Sequence, residues 1–256
     1  MLLKNNILNN QYYIVRNGDF ATCGNTKILY SMFAILLAIE DYFVGNSSSC
    51  FIIMIGSTII WTIIEFILFV FKIRLIKPMY INFFNTKIEL HKYLALFLQG
   101  FQEGGLITTI GLYFGDRLNN FYYMLIFHIF IIFSIINIFK KVNLNKSSRR
   151  QVNSKGSLAL MSFFTIFNLT MLYLYPDHIY RQIKIFFAMT YFCSFWTFFT
   201  WYKGFRTVET LLYDNKKNFT KKLDNNLDSL IVLGYDIIFE IGIAYLTFYN
   251  LFIILY

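Results

Sequence analysis

Seven stretches, each long enough to cross a lipid bilayer and each dominated by apolar side chains, occupy most of this chain. They cover residues 28–45, 51–71, 93–115, 121–139, 157–175, 183–202 and 229–255. A hydrocarbon core of about 30 Å takes roughly 20 helical residues to span. Inside it every backbone N–H and C=O needs an internal partner, which a continuous apolar run finds only as a helix. A membrane barrel would instead show alternating strands of about ten residues. The chain is 57% hydrophobic and only 14% charged, where a soluble domain carries about a quarter charged residues, so a water-facing shell cannot be built from it. The expected fold is all-α, a polytopic membrane helix bundle of seven transmembrane helices. Brief polar breaks at 46–49, 116–120 and 176–178 make the helices they join antiparallel neighbours.

Basic residues orient the bundle. Lys4, Arg16 and Lys27 precede the first run, and Lys72, Arg74, Lys77, Lys87 and Lys92 follow the second. Lys140, Lys141, Lys146, Arg149, Arg150 and Lys155 follow the fourth, and Lys203, Arg206, Lys216, Lys217, Lys221 and Lys222 the sixth. These twenty share one side, and only Arg117, Arg181 and Lys184 fall on the other. Basic residues concentrate on the cytoplasmic side, so the N-terminus is expected in the cytoplasm or its organellar equivalent and the C-terminus outside. The third run, broken by Gln99, Gln102 and Glu103, is retained as a span because its loss would put the basic loops on opposite sides. Residues 1–27 then form a cytoplasmic N-terminal segment and 28–256 a single transmembrane domain. The segment lacks the apolar stretch of a cleavable signal, so the first helix is expected to act as an uncleaved anchor. Cys23, Cys50 and Cys193 fall inside, outside and within a span, so no disulfide is expected.

Charges inside the spans are the informative residues, because each costs about 2.5–3.5 kcal/mol at mid-bilayer and so faces the bundle interior or water. Glu65 lies in the second run, Glu103 in the third, and Asp236 and Glu240 one turn apart in the seventh. Gln99 shares a helix face with Glu103, and Gln102 is adjacent. His128 and Asn168 lie in the outer halves of their runs, while Glu40 and Asp41 are expected to reach water at the end of theirs. No lysine or arginine occupies the middle of a run, so these acids are expected to lack basic partners and to take up protons or bind a cation. Gly100, Gly104, Thr108, Gly111 and Gly115 form one small-residue stripe suited to close helix packing. The Gln99–Gly105 stretch alternatively reads as irregular backbone lining a polar cavity.

Several chemistries are excluded. The last run has no lysine for a retinal Schiff base, and His91, His128 and His178 lie on different segments, short of any H-E-x-x-H zinc site. No G-x-S-x-G nucleophile turn and no phosphate-binding glycine loop is present. Asp224 and Asp228 have the spacing to hold Mg²⁺, but Lys221 and Lys222 beside them favour a solvated helix start. The sequence identifies no cofactor or metal and does not establish an enzyme. Net charge +9 is explained by membrane orientation, so the expected partner is the lipid bilayer and not nucleic acid, with a homo-oligomer or membrane complex left open. Three functions remain: proton, cation or small-solute transport through Glu65, Gln99, Gln102, Glu103, His128, Asp236 and Glu240; a membrane-embedded lipid-modifying enzyme using the same carboxylates; or a structural subunit of a membrane assembly.

Overall fold

A computed structural model describes residues 10–17, 23–70, 78–83, 86–139, 146–214, 217–222 and 226–255. Helices dominate it. In chain order they are α1 (Gly24–Phe43), α2 (Ser49–Val70), α3 (Lys92–Gly100), α4 (Ile107–Asp116), α5 (Phe121–Phe139), α6 (Lys155–Leu174), α7 (Ile179–Tyr202), α8 (Asn226–Tyr235) and α9 (Ala244–Leu251). A first π-helical segment, Phe101–Leu106, fuses α3 to α4, and a second, Asp236–Ile243, fuses α8 to α9. Among the described residues these nine helices make seven continuous rods, which fall on the seven apolar runs. Four of them contain stretches long and apolar enough to cross a membrane: Ser49–Ile67, Lys155–Leu174, Pro176–Tyr202 and Asn226–Leu251.

Local chemistry sets the ends. The Ser154 side chain caps α6 by accepting from the Ser157 amide at 3.1 Å, the usual N-cap contact. Pro176 then stops α6 and opens a single 3-10 turn before α7. Asn46 bends the α1–α2 connection with φ 50°, and Gly204 turns the chain out of α7 with φ 75°. Both are left-handed conformations, which asparagine and glycine adopt most readily.

The sequence reading did not anticipate a sheet. Strands β1 (Gln11–Asn17), β4 (Lys146–Gln151), β5 (Arg206–Asp214) and β6 (Lys217–Lys222) pair antiparallel in the order β4-β1-β5-β6, and β2 (Tyr80–Phe83) and β3 (Thr86–Glu89) form a separate hairpin. The four strands come from the segments expected to be polar loops on the basic side. A small core of Ile14, Val152, Val208, Val232 and Leu233 fixes the sheet to α8.

Helix α4 is the centre of the bundle. Thr108, Thr109, Ile110, Leu112 and Phe114 on it are fully buried, and the Phe114 ring stacks on Phe127 of α5 at 4.2 Å. Large apolar side chains cover the outside instead, including Leu36, Ile59, Ile129, Ile166 and Phe187. The residues that weaken the run of α4, Gln99, Gln102 and Glu103, lie before that helix on α3 and the first π segment.

Candidate functional site: a charged junction between sheet and bundle

The acids singled out from the sequence do not lack basic partners. Arg206 Nη1 lies 3.0 Å from Asp236 Oδ2, and Arg150 Nη2 contacts both Asp236 and Glu240. Arg16 Nη1 stands 3.8 Å from Glu103 Oε1. Lys27, itself buried, donates to Gln102 Oε1 at 2.6 Å and to Gln99. The expectation failed because the cations come from outside the runs: Arg16 from β1, Arg150 from β4, Arg206 from β5 and Lys27 from the first turn of α1. Long side chains let these residues carry charge some way from their own backbone.

Strand register explains the convergence. Arg16 is directly opposite Arg206, while Ile14, two residues earlier on the same face, is opposite Arg150. Three guanidinium groups thus leave one face of the sheet. Like charges in such a pair are unfavourable, and the carboxylates of the bundle supply the compensation. Burial pushes Arg206 down to about 10, partly offset by Asp236, so it stays charged at neutral pH. For Arg150 burial also opposes the charge, but Asp236 and Glu240 outweigh it and hold the group above its ordinary value.

Around Glu103 the shell continues. Trp61 Nε1 donates to Glu103 Oε2 at 3.1 Å, and Gln99 donates to the other oxygen. The Trp61 ring stacks on Tyr245 at 5.3 Å, tying this group to α9. Glu65 is buried on α2 and acts electrostatically on Lys27. The Glu103 and Asp236–Glu240 groups are joined through the sheet, since Arg16, which faces Glu103, is paired in register with Arg206, which holds Asp236. Four acids and four cations therefore meet where the sheet joins the bundle.

Both groups of acids lie on π-helical backbone. Glu103 is in the first π segment, with Gly104 and Gly105 after it, and Asp236 and Glu240 are both in the second. Single π turns inside α-helices recur at functional sites. The first one also divides the small-residue stripe. A side chain at Gly100 or Gly104 would strike Thr62 or the Ser57 carbonyl of α2, whereas one at Gly111 or Gly115 would strike Met189 or Ile185 of α7. Thr108, between the two sets, donates back to the Gly104 carbonyl at 2.8 Å.

His128 stands apart from the junction. Its Nδ1 pairs with the Met124 carbonyl at 2.6 Å and its Nε2 with the Tyr191 hydroxyl at 2.7 Å. Asp41 does not reach water as expected: it is buried and paired with Arg117 at 2.7 Å, while Glu40 accepts from the Tyr113 and Tyr123 hydroxyls at 2.6 and 2.8 Å. Asp224, considered as a Mg²⁺ ligand, lies outside the described residues, as do Lys4, Lys72, Arg74, Lys77, Lys140, Lys141 and Lys216 of the orienting set. Among the described residues no group of three or more His, Cys, Asp or Glu side chains is arranged to hold a metal ion. No family model, curated protein or solved structure matches the chain.

Proposed function

We propose that the chain is a multi-pass integral membrane protein of seven spans that moves protons, a cation or a small solute through its polar core. The N-terminal segment and the four-stranded sheet sit on the cytoplasmic or equivalent side, and the C-terminus lies outside. The rods of α1 and α5, with 20 and 19 residues, extend about 30 Å at 1.5 Å per residue. That supports counting them with the four longest apolar helices, and the α3–α4 rod is longer still.

One observation carries the transport reading. The intramembrane carboxylates are held by long arginine side chains borne on strands, so their pairing can open by rotation of those side chains without unpacking the bundle or the sheet. A purely structural charge pair would more economically be replaced by apolar packing, since buried ion pairs add little net stability. The arginines thus act as a gate on the sheet side. The full chain reconstituted in liposomes should show proton, Na⁺, K⁺ or solute flux, and Glu103→Gln should abolish it while the protein remains folded. Unchanged flux in folded Glu103→Gln protein refutes the proposal.

A further inference from the structure

Between α2 and α3 the chain forms a two-stranded hairpin that the charged junction does not use. Its register puts Tyr80 opposite Glu89, Ile81 opposite Ile88, Asn82 opposite Lys87 and Phe83 opposite Thr86. Opposed residues share a face, and neighbours along a strand alternate between faces. One face therefore carries Ile81, Phe83, Thr86 and Ile88, and the other carries Tyr80, Asn82, Lys87 and Glu89.

Contacts with α1 and α3 fix the height of the hairpin. Asn25, in the first turn of α1, donates to the Asn82 carbonyl at 2.8 Å and accepts from the Asn82 amide at 2.7 Å. Gly24 admits the hairpin so closely that a Cβ there would lie 2.8 Å from Ile81 Cγ1 and 2.9 Å from the Tyr80 carbonyl oxygen. Only Leu90 and His91 separate β3 from the first residue of α3, a reach of about 10 Å at full extension. Tyr93, Leu94 and Phe97 at the start of α3 are exposed. Lys92 Nζ lies 5.0 Å from the centre of the Tyr93 ring and 6.0 Å from that of Phe69 on α2. Aromatic rings and lysines gathered at helix ends mark the edge of a bilayer. The hairpin thus lies at the level where α1, α2 and α3 leave the lipid.

Two properties say what the apolar face meets there. Ile81 packs on Gly24, but Ile88 is 51% exposed and Phe83 62%. Amphipathic helices lying in the membrane plane bury such a face about 5–10 Å into the headgroup–acyl boundary, and this hairpin has the same division of faces. Charge supplies the second property. Lys87 holds its ammonium group 4.1 Å from the centre of the Tyr80 ring on the polar face. Residues 72–92 carry five basic side chains, Lys72, Arg74, Lys77, Lys87 and Lys92, against the one acid Glu89. That sign matches the anionic lipids of a cytoplasmic leaflet, which attract basic segments beside a span.

We infer that the β2–β3 hairpin is a lipid-binding foot: it lies in the interface on the sheet side, seats Phe83 and Ile88 at the headgroup–acyl boundary, and binds anionic phospholipid through Lys87 and Lys92. The inference rests on the membrane reading and its orientation, and it does not need transport. Asn25 ties the hairpin to the helix turn that carries Lys27, so lipid bound there is attached to the rim of the charged junction.

The test uses the full chain with its three cysteines replaced by serine and a single Thr86→Cys carrying the fluorophore NBD, reconstituted in phosphatidylcholine vesicles containing phosphatidylglycerol. Quenching by doxyl groups on the acyl chains is independent of the direction in which the protein inserts. Doxyl groups near the headgroup should quench the label more than doxyl groups near the chain end. Doxyl-phosphatidylglycerol should quench about twofold more than doxyl-phosphatidylcholine at equal content. Lys87→Glu with Lys92→Glu should remove that preference and keep the depth. Raised salt should weaken the preference in the protein with both lysines intact, which decides the matter should the double variant fail to fold. Equal quenching by the two lipids overturns the anionic ligand, and no quenching by either overturns the foot while leaving the spans and transport standing. A chain that alkaline carbonate strips from the vesicles overturns the membrane reading as well.

Discussion

At the scale of single residues, the acids were legible in the sequence and their partners were not. Glu103, Asp236 and Glu240 stand out because a carboxylate inside an apolar run is costly. Arg16, Arg150 and Arg206 looked like the orienting charges of loops, because nothing local signals that they share one sheet face. Of the three arginines, Arg206 is the most deeply set, with its side chain 5% exposed like that of Asp236. Removing one partner of such a pair leaves an uncompensated charge, at about 3–5 kcal/mol. Arg206→Ala should therefore lose about that much stability in denaturant unfolding in mild detergent. Adding Asp236→Asn to it should recover part of the loss, and additive losses would show that the two groups are not coupled.

At the scale of elements, the seven helical rods follow directly from apolar runs of bilayer length, but their internal geometry does not. A 3.6-residue period places the five small residues of the third run in one stripe. The first π segment turns Gly111 and Gly115 toward α7 instead, and it is marked in sequence only by Glu103-Gly104-Gly105. The strands escaped notice because segments such as Arg206–Asp214 alternate polar and apolar residues in short, charged stretches that also suit a loop. The glycine contacts make a comparative prediction. A Cβ at Gly104 would lie 2.5 Å from the Ser57 carbonyl oxygen, a backbone atom, whereas one at Gly111 would lie 2.2 Å from the Met189 Cγ, in a flexible side chain. Gly104→Ala should cost about 1–3 kcal/mol by overpacking, and Gly111→Ala less, because Met189 can change rotamer. Equal melting temperatures for the two variants would contradict the close approach of the first π segment to α2.

At the scale of the whole molecule, polarity is arranged for lipid: apolar side chains outside, a close-packed central α4, and charge gathered where the sheet meets the helices. Helix α6 shows this most clearly, with only 11% of its apolar stretch buried, against 50% for Asn226–Leu251. Single cysteines in a background lacking Cys23, Cys50 and Cys193 test the proposed orientation. An impermeant maleimide applied to intact cells or correctly oriented vesicles should label Asn46→Cys and Asn119→Cys at once. It should label Lys203→Cys only after permeabilisation, and the reverse pattern would invert the topology.

The central proposal is that strand-borne arginines gate the intramembrane acids, and opposite effects of the two charge types on flux test it most directly. Arg150 bridges Asp236 and Glu240 with a half-exposed side chain, so Arg150→Ala should open the junction and raise flux into liposomes severalfold. Glu240→Gln keeps the size of the side chain but removes its charge, and should lower flux to background. If both variants instead lose flux in proportion to their loss of folded protein, the junction is a structural clamp and the gate does not exist.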